Sequence, residues 1–278
     1  MTIDQLIKTA LQEDIGDGDH SSLSCIPKDA VGRAKLLVKE PGILAGVNIA
    51  KQVFKQVDPL LIFEQILNDG DVIKPGDIAF YVEGSSQSIL KGERLALNFM
   101  QRMSGIATHT NELVKLVGDL PCKLLDTRKT TPGLREIEKL AVKIGGGSSY
   151  HRFGLYDMIM LKDNHIDYAG GISQAINKTK EYLAENNKKL KIEVEARDLD
   201  EVKQILQVGG VDRIMLDNFN YTDLKKAVEL IGVSSETEAS GGITRDTLRN
   251  YAECGVNFIS VGALTHQINS LDLSLKAV

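Results

Sequence analysis

Tryptophan is absent from this 278-residue chain, and aromatic residues together make up only 5% of it. A surface that binds single strands by stacking their bases needs aromatic platforms, so that class is disfavoured. Net positive charge is also missing, the formal balance being -5. General binding to nucleic-acid backbones requires clustered exposed Lys and Arg. Cysteine is scarce: Cys25, Cys122 and Cys254 are far apart, odd in number and form no CxxC. This suits a reducing compartment, gives no zinc signature and leaves the three as small apolar residues. No apolar run reaches membrane-spanning length, and Asp4, Glu13 and Asp14 interrupt any leader-like segment near the start. The expectation is a cytoplasmic protein with neither a membrane nor a nucleic-acid partner. Hydrophobic residues at 42% and charged residues at 26% are those of a globular chain, long enough for one large domain or two ordinary ones.

The chain changes character along its length. Residues 2–13 carry Ile3, Leu6, Ile7, Ala10 and Leu11 at helical spacing, and Gly16-Asp17-Gly18-Asp19 breaks the pattern. Those acids lack the order of a calcium loop and read as a polar turn. Residues 33–39 predict a strand, 46–57 a helix, and 69–84 two strands around Pro75-Gly76. Such a hairpin is similar to those of biotin- or lipoyl-carrier domains. Lys74, however, sits beside Pro75 without flanking methionines, so an accessory α+β domain is the reading taken. A helix follows from Glu93 to about Val117 and stops at Gly118-Asp119-Leu120-Pro121.

Beyond Pro121 a different rhythm begins. Six short apolar stretches, at 123–126, 158–162, 191–195, 213–217, 237–240 and 257–261, end in polar residues and alternate with helical segments. Strands alternating with helices imply parallel βαβ units. Chemistry-bearing residues at successive strand ends favour a ring over a doubly wound sheet, whose site sits at one switch point. The expected fold class is α/β: an N-terminal α+β sandwich domain over residues 1–106 and an open, incomplete (β/α) barrel over 107–265. Residues 266–278 are expected to pack on the first domain.

The strand exits concentrate charge. Arg128, Lys129, His151, Arg152, Lys162 and His165 are all cationic or potentially so, in a chain that is acidic overall. Arg offers a planar fork to carboxylate or phosphate and Lys a point charge, so this wall suits a small, highly charged anion. Glu195 and Asp217 end the next two strands and are natural partners for Mg²⁺ or ribose hydroxyls. Ser240, Gly241, Gly242 and Gly262 end the last two, where small residues let backbone N–H groups approach a phosphate. Gly145-Gly146-Gly147 matches neither a Walker loop nor a dinucleotide fingerprint.

These residues in this order resemble the quinolinate phosphoribosyltransferase family. The resemblance is carried by ERLALNFMQRMSGIAT, DTRKTTPGLREIEKLAVKIGGG, HRFGLYDMIMLKDNHI, EVEA, IMLDNF, EASGGI and ISVGALTH, with EDIGDGDHSS near the start. Ser148-Ser149-Tyr150 departs from the shorter, Asn-containing link expected there. The resemblance implies transfer of the phosphoribosyl group of phosphoribosyl pyrophosphate to quinolinate with decarboxylation, as in de novo NAD biosynthesis. It implies Mg²⁺ as cofactor and a homodimer, alone or within a larger assembly, with Arg94 of one subunit completing the other's site. By match, Arg128, His151, Arg152 and Lys162 line the quinolinate pocket and Lys129 faces the pyrophosphate. Glu195 and Asp217 hold ribose and Mg²⁺, directly or through substrate. Ser240, Gly241, Gly242 and Gly262 hold the 5-phosphate.

Three other readings compete. A sister transferase using another pyridine or aromatic acid, such as nicotinate, fits the phosphate motifs, but five cations at one pocket favour a dicarboxylate. A Schiff-base aldolase using Lys162 would need a desolvated lysine. A pure anion sensor gains nothing from Glu195 and Asp217.

Overall fold

The computed structural model describes residues 2–148 and 151–278. Its elements run α1 (Ile3–Ile15), α2 (His20–Cys25), β1 (Val31–Val38), β2 (Gly42–Ile43), α3 (Val47–Val57), β3 (Ile62–Gln65), β4 (Val72–Ile73), β5 (Ile78–Ser85) and the long α4 (Ser86–Val117). There follow β6 (Lys123–Leu125), α5 (Arg135–Ile144), β7 (Ile159–Leu161), α6 (Asp163–Ala169), α7 (Ile172–Glu185), β8 (Ile192–Ala196) and α8 (Leu199–Val208). The chain ends with β9 (Arg213–Asp217), α9 (Tyr221–Ile231), β10 (Glu236–Ser240), α10 (Leu248–Ala252), β11 (Phe258–Ser260), α11 (Ala263–His266) and β12 (Leu273–Ala277). Contacts divide it into two units: one of Met1–Glu112, Lys129–Gly147 and Ala263–Val278, the other of Leu113–Arg128 and Ser148–Gly262. The division differs from the expected boundary after residue 106 because α4 continues through it and α5 joins the first unit.

In the first unit an antiparallel sheet of order β12-β1-β5-β3 forms the frame. Residues of β1 alternate, with Ala34, Leu36 and Val38 buried, as a strand with one covered face requires. Phe54 of α3 packs its ring 6.1 Å from Phe80 of β5, and Phe63 of β3 lies 4.4 Å from Phe80. The entry of α1 is a capping box: Gln5 N–H donates to Thr2 Oγ1 at 3.2 Å, and Thr2 N–H to Gln5 Oε1 at 2.9 Å. The expected hairpin over 69–84 is not formed. The Pro-Gly turn is there, but β4 pairs with β2, whereas β5 pairs with β1 and β3.

The second unit is a parallel sheet of order β6-β11-β10-β9-β8-β7. Sequence neighbours β6 and β7 lie on opposite edges, so the sheet is open between them. It nevertheless curls into a ring, because one cavity of about 480 Å³ touches Lys123, Met158, Lys191, Arg213, Glu236 and Phe258 at or just before the starts of all six strands. The unit is thus an open α/β barrel. Period-two alternation places Glu193 with Glu195, Arg213 with Asp217, and Glu238 with Ser240 on common faces.

That alternation also buries charge. Glu193 and Glu238 are fully buried and Arg213 is 4% exposed. Arg213 Nη1 lies 3.0 Å from Glu238 Oε2 and 4.0 Å from Glu193 Oε2, with Nη2 3.1 Å from Glu236. Its guanidinium also stacks over Phe258 at 4.1 Å. Replacing Arg213 by Met leaves the two buried carboxylates uncompensated and should cost about 3–5 kcal/mol in denaturant unfolding. Burial first, and the Glu238 carboxylate second, push the Glu193 carboxyl well above the usual range, against the pull of Arg213. A raised folded value means stability present at acid pH and lost as pH climbs through it. Glu193→Gln should therefore lose less stability than the parent toward alkaline pH, measured by melting across a pH series.

Candidate active site

The C-terminal ends of the barrel strands bring several expected residues together. Lys162 follows β7 and places its Nζ 3.5 Å from Glu195 Oε2 at the end of β8. The Glu195 carboxyl is pushed up, chiefly by burial and further by Asp217 and Asp163, while Lys162 pulls it down. A carboxylate so placed, with a second one beside it, attracts a cation. Among the described residues no group of three or more His, Cys, Asp or Glu side chains is arranged to hold a metal. Glu195 and Asp217 are two carboxylates at neighbouring strand ends, the number that a hard cation such as Mg²⁺ takes from protein when substrate and water oxygens fill its other positions.

The next strand end is tightly built. Asn218 adopts φ 56° and donates its backbone N–H to Ser240 O at 2.9 Å. Its Nδ2 donates to Asp217 Oδ2 at 2.6 Å. Gly241, at φ +95°, lies so close to Asn218 that an added Cβ would sit 2.8 Å from the Asn218 backbone nitrogen and would strike its side-chain oxygen. Gly241→Ala should cost about 1–3 kcal/mol through that backbone strain, read as a lower denaturant midpoint. Gly242 follows in the left-handed region and is exposed, and Gly262 comes two residues after β11. Ser240 and Ser260 end the paired strands β10 and β11. Small residues thus end both strands, leaving backbone room for a phosphate.

Arg128 lies at the exit of β6, close enough to Arg152 for the two charges to repel. Burial first, and Arg128 second, lower the Arg152 guanidinium below its ordinary value, with Glu193 and Asp157 opposing. The Nε atoms of both arginines are buried without a hydrogen-bond partner. Two like charges so placed repel each other, and a nearby negative charge would relieve that repulsion. Arg152 also lines the cavity at the strand starts, and so does His151. His151 is 8% exposed, and its Nδ1 lies 3.4 Å from Arg152 O. His151 is therefore displayed toward the base of the barrel. Ser149 and Tyr150, which belong to the departing link, lie outside the described residues.

Two expected residues belong to the first unit. Arg94 is exposed on α4. Lys129 is exposed, and its carbonyl accepts a 2.8 Å hydrogen bond from Thr265 Oγ1. His165, counted among the cations, serves another purpose: its Nδ1 accepts the Lys162 N–H at 3.0 Å and caps α6. The Schiff-base reading fails on geometry, because the Lys162 side chain is 48% exposed and ion-paired. The charged residues Glu193, Arg213 and Glu238 went unrecognised in the sequence, although their spacing of two along strands could have found them.

Comparison with known proteins shows the family. The profile described as quinolinate phosphoribosyl transferase, C-terminal domain, matches residues 106–276, and that of the N-terminal domain matches 19–104. A chloroplastic nicotinate-nucleotide pyrophosphorylase [carboxylating] of Arabidopsis thaliana is 48% identical over 98% of this chain and 81% of its own length. A probable nicotinate-nucleotide pyrophosphorylase [carboxylating] of Bacillus subtilis (strain 168) is 40% identical over 99% of this chain and 93% of its own. The crystal structure of NadC from Streptococcus pyogenes superposes with a TM-score of 0.93 at 39% identity, covering 99% of this chain and 97% of that one.

Proposed function

The chain belongs to the quinolinate phosphoribosyltransferase family, and on that premise we infer that the strand-end charges serve phosphoribosyl transfer from phosphoribosyl pyrophosphate to quinolinate. The reaction gives nicotinate mononucleotide, pyrophosphate and CO2, a step of NAD biosynthesis. The observation that carries the residue assignment is the pair of buried, unsatisfied guanidinium nitrogens of Arg128 and Arg152. A pyridine dicarboxylate meeting the outer nitrogens of both guanidiniums would offset their repulsion.

In this reading Arg128, Arg152 and Lys162 hold the two carboxylates of quinolinate, and His151, displayed toward the base of the barrel, backs Arg152. They aim the ring nitrogen at C1 of the ribose. Bond formation there proceeds as pyrophosphate departs, through a sugar of oxocarbenium character. Glu195 and Asp217 stabilise that cationic sugar and hold its hydroxyls. Lys129 neutralises the departing pyrophosphate, and Mg²⁺ held by Glu195 and Asp217, directly or through substrate oxygens, would neutralise phosphate charge. Ser240, Gly241, Gly242 and Gly262 receive the 5-phosphate. The pyridinium product then loses its 2-carboxylate as CO2, the electron pair staying on C2 beside the cationic ring nitrogen and taking a proton from water there. The protein orients reactants and stabilises charge, so no covalent nucleophile is needed.

We further propose a homodimer, with the exposed Arg94 of each copy offered to the other. No helix among the described residues is long and apolar enough to cross a membrane. We place the enzyme in the cytoplasm because its scattered, unbridged cysteines suit a reducing compartment. The plant relatives are named chloroplastic or mitochondrial, so imaging of a tagged chain tests that placement.

Nicotinate, lacking the 2-carboxylate, is the discriminating substrate. The expected result is a kcat/KM for quinolinate at least about a hundredfold above that for nicotinate, since one lost charge-assisted contact leaves a buried cation unpaired. Equal use of both acids would move the enzyme to the sister reading.

A further inference from the structure

The segment that carries Lys129 is tied down by side chains that no step above uses. Arg102 of α4 donates from Nε and Nη2 to Glu138 Oε1 of α5 at 2.8 and 2.6 Å. Its Nη2 also reaches Thr131 Oγ1 at 2.8 Å and Thr265 O at 3.3 Å. The other Glu138 oxygen, Oε2, accepts the Thr131 backbone N–H at 3.1 Å. On the far side of the segment, Thr265 Oγ1 donates to Lys129 O. Glu138 is fully buried and Thr265 is 1% exposed, so the tether is anchored from inside, while Thr131 and Lys129 at its outer end are exposed. The segment itself has no helix or strand pairing to define it: residues 126–134 lie between β6 and α5.

From this geometry we propose that Arg102, Glu138 and Thr265 are positioning residues that fix the backbone of Lys129–Thr131 and thereby set the Lys129 ammonium for the pyrophosphate. The proposal rests on the reading of Lys129 given above. A buried Glu would be a costly way to brace a loop of no consequence, because its charge must be matched bond for bond. Here one carboxylate oxygen meets the arginine fork and the other meets the loop amide, which couples the orientation of α4 and α5 side chains to the Lys129 backbone. Misplacing a charge by an ångström costs as much as two orders of magnitude in rate.

Glu138→Gln separates the two functions of that carboxylate. Its single carbonyl oxygen can accept from Arg102 or from Thr131 N–H, but its amide nitrogen cannot accept. Thr265→Val removes the bond to Lys129 O from the other side, and Thr265→Ser keeps it. Steady-state kinetics for both substrates, with hydrogen exchange of residues 129–133, test the proposal. Glu138→Gln and Thr265→Val should each lower kcat/KM for phosphoribosyl pyrophosphate by about tenfold or more, raise exchange in the segment and change KM for quinolinate by less than about twofold. Thr265→Ser should resemble the parent, and neither loss should appear in a Lys129→Ala background. Parent-like kinetics in both variants, or a loss shared equally by the two substrates and additive with Lys129→Ala, would overturn the positioning role. If Lys129→Ala alone leaves phosphoribosyl pyrophosphate use intact, the reading of Lys129 fails instead, and exchange of the Thr131 amide still reports whether the tether holds.

Discussion

Alanine in place of Arg152 should lower kcat/KM for quinolinate by about a hundred- to a thousandfold while leaving KM for phosphoribosyl pyrophosphate near that of the parent. Burial and what faces the guanidinium set the size of the effect. Arg152 is 7% exposed, is repelled by Arg128, and keeps a buried Nε without a hydrogen-bond partner. An arginine held in that state is poised for a carboxylate, which would satisfy its fork and relieve the repulsion. Truncation also leaves Arg128 alone to bind a doubly charged acid. Lysine should not rescue the loss, because it supplies the charge without the planar pair of donors. Initial-rate kinetics with quinolinate varied, beside a melting curve to verify folding, decide the matter. Near-parental turnover at low quinolinate would remove Arg152 from the pocket and leave its place at the base of the barrel as its only role.

Lys162→Ala carries the second large effect, a fall in kcat/KM of about a thousandfold. Its ammonium lies 3.5 Å from Glu195 Oε2. Without it, Glu195 faces Asp217 and Asp163 with no opposing charge, and both of these already push its carboxyl up. The mutation thus removes a substrate-facing cation and disturbs the carboxylates that support the sugar. Arginine at the same position should recover part of the loss, since the ion pair can re-form with altered geometry. Rates measured at saturating Mg²⁺ check this. A variant that kept more than about a tenth of the parental kcat/KM would show that Lys162 serves Glu195 structurally and touches no reactant.

Much of the barrel was legible because its strands are short apolar runs that end in polar residues. All six expected strands occur within two residues of their expected limits. The helical segment after β10 begins only at Leu248, because Thr244 to Thr247 form a turn closed by Thr247 Oγ1 accepting the Thr244 N–H. The stretch over 69–84 was misread as a hairpin because local alternation and a Pro-Gly turn say nothing about which sheet each strand joins. Strand β3 escaped notice because Ile62 is 65% exposed and its burial pattern places no side chain fully inside. His165 looked like part of the cationic wall, yet its spacing of three from Lys162 suits a helix cap equally well.

Neighbourhoods at the strand ends were legible where one motif held several members, as at Asp217-Asn218 and Ser240-Gly241-Gly242, which the structure brings into contact. It was opaque where the partner lay far along the chain. Arg102 and Glu138 are 36 residues apart and each looks like an ordinary charge on a helix. Glu193, Arg213 and Glu238 defy the composition-based expectation that charges stay at the surface, and only their neighbours across the sheet explain them.

The most direct measurement follows the 2-carboxylate. Quinolinate labelled in that carboxyl group, incubated with enzyme, Mg²⁺ and phosphoribosyl pyrophosphate, should release labelled CO2 in step with nicotinate mononucleotide, and release none when phosphoribosyl pyrophosphate is omitted. Retention of the label in the product, or its release without phosphoribosyl pyrophosphate, would contradict phosphoribosyl transfer as the event that drives decarboxylation.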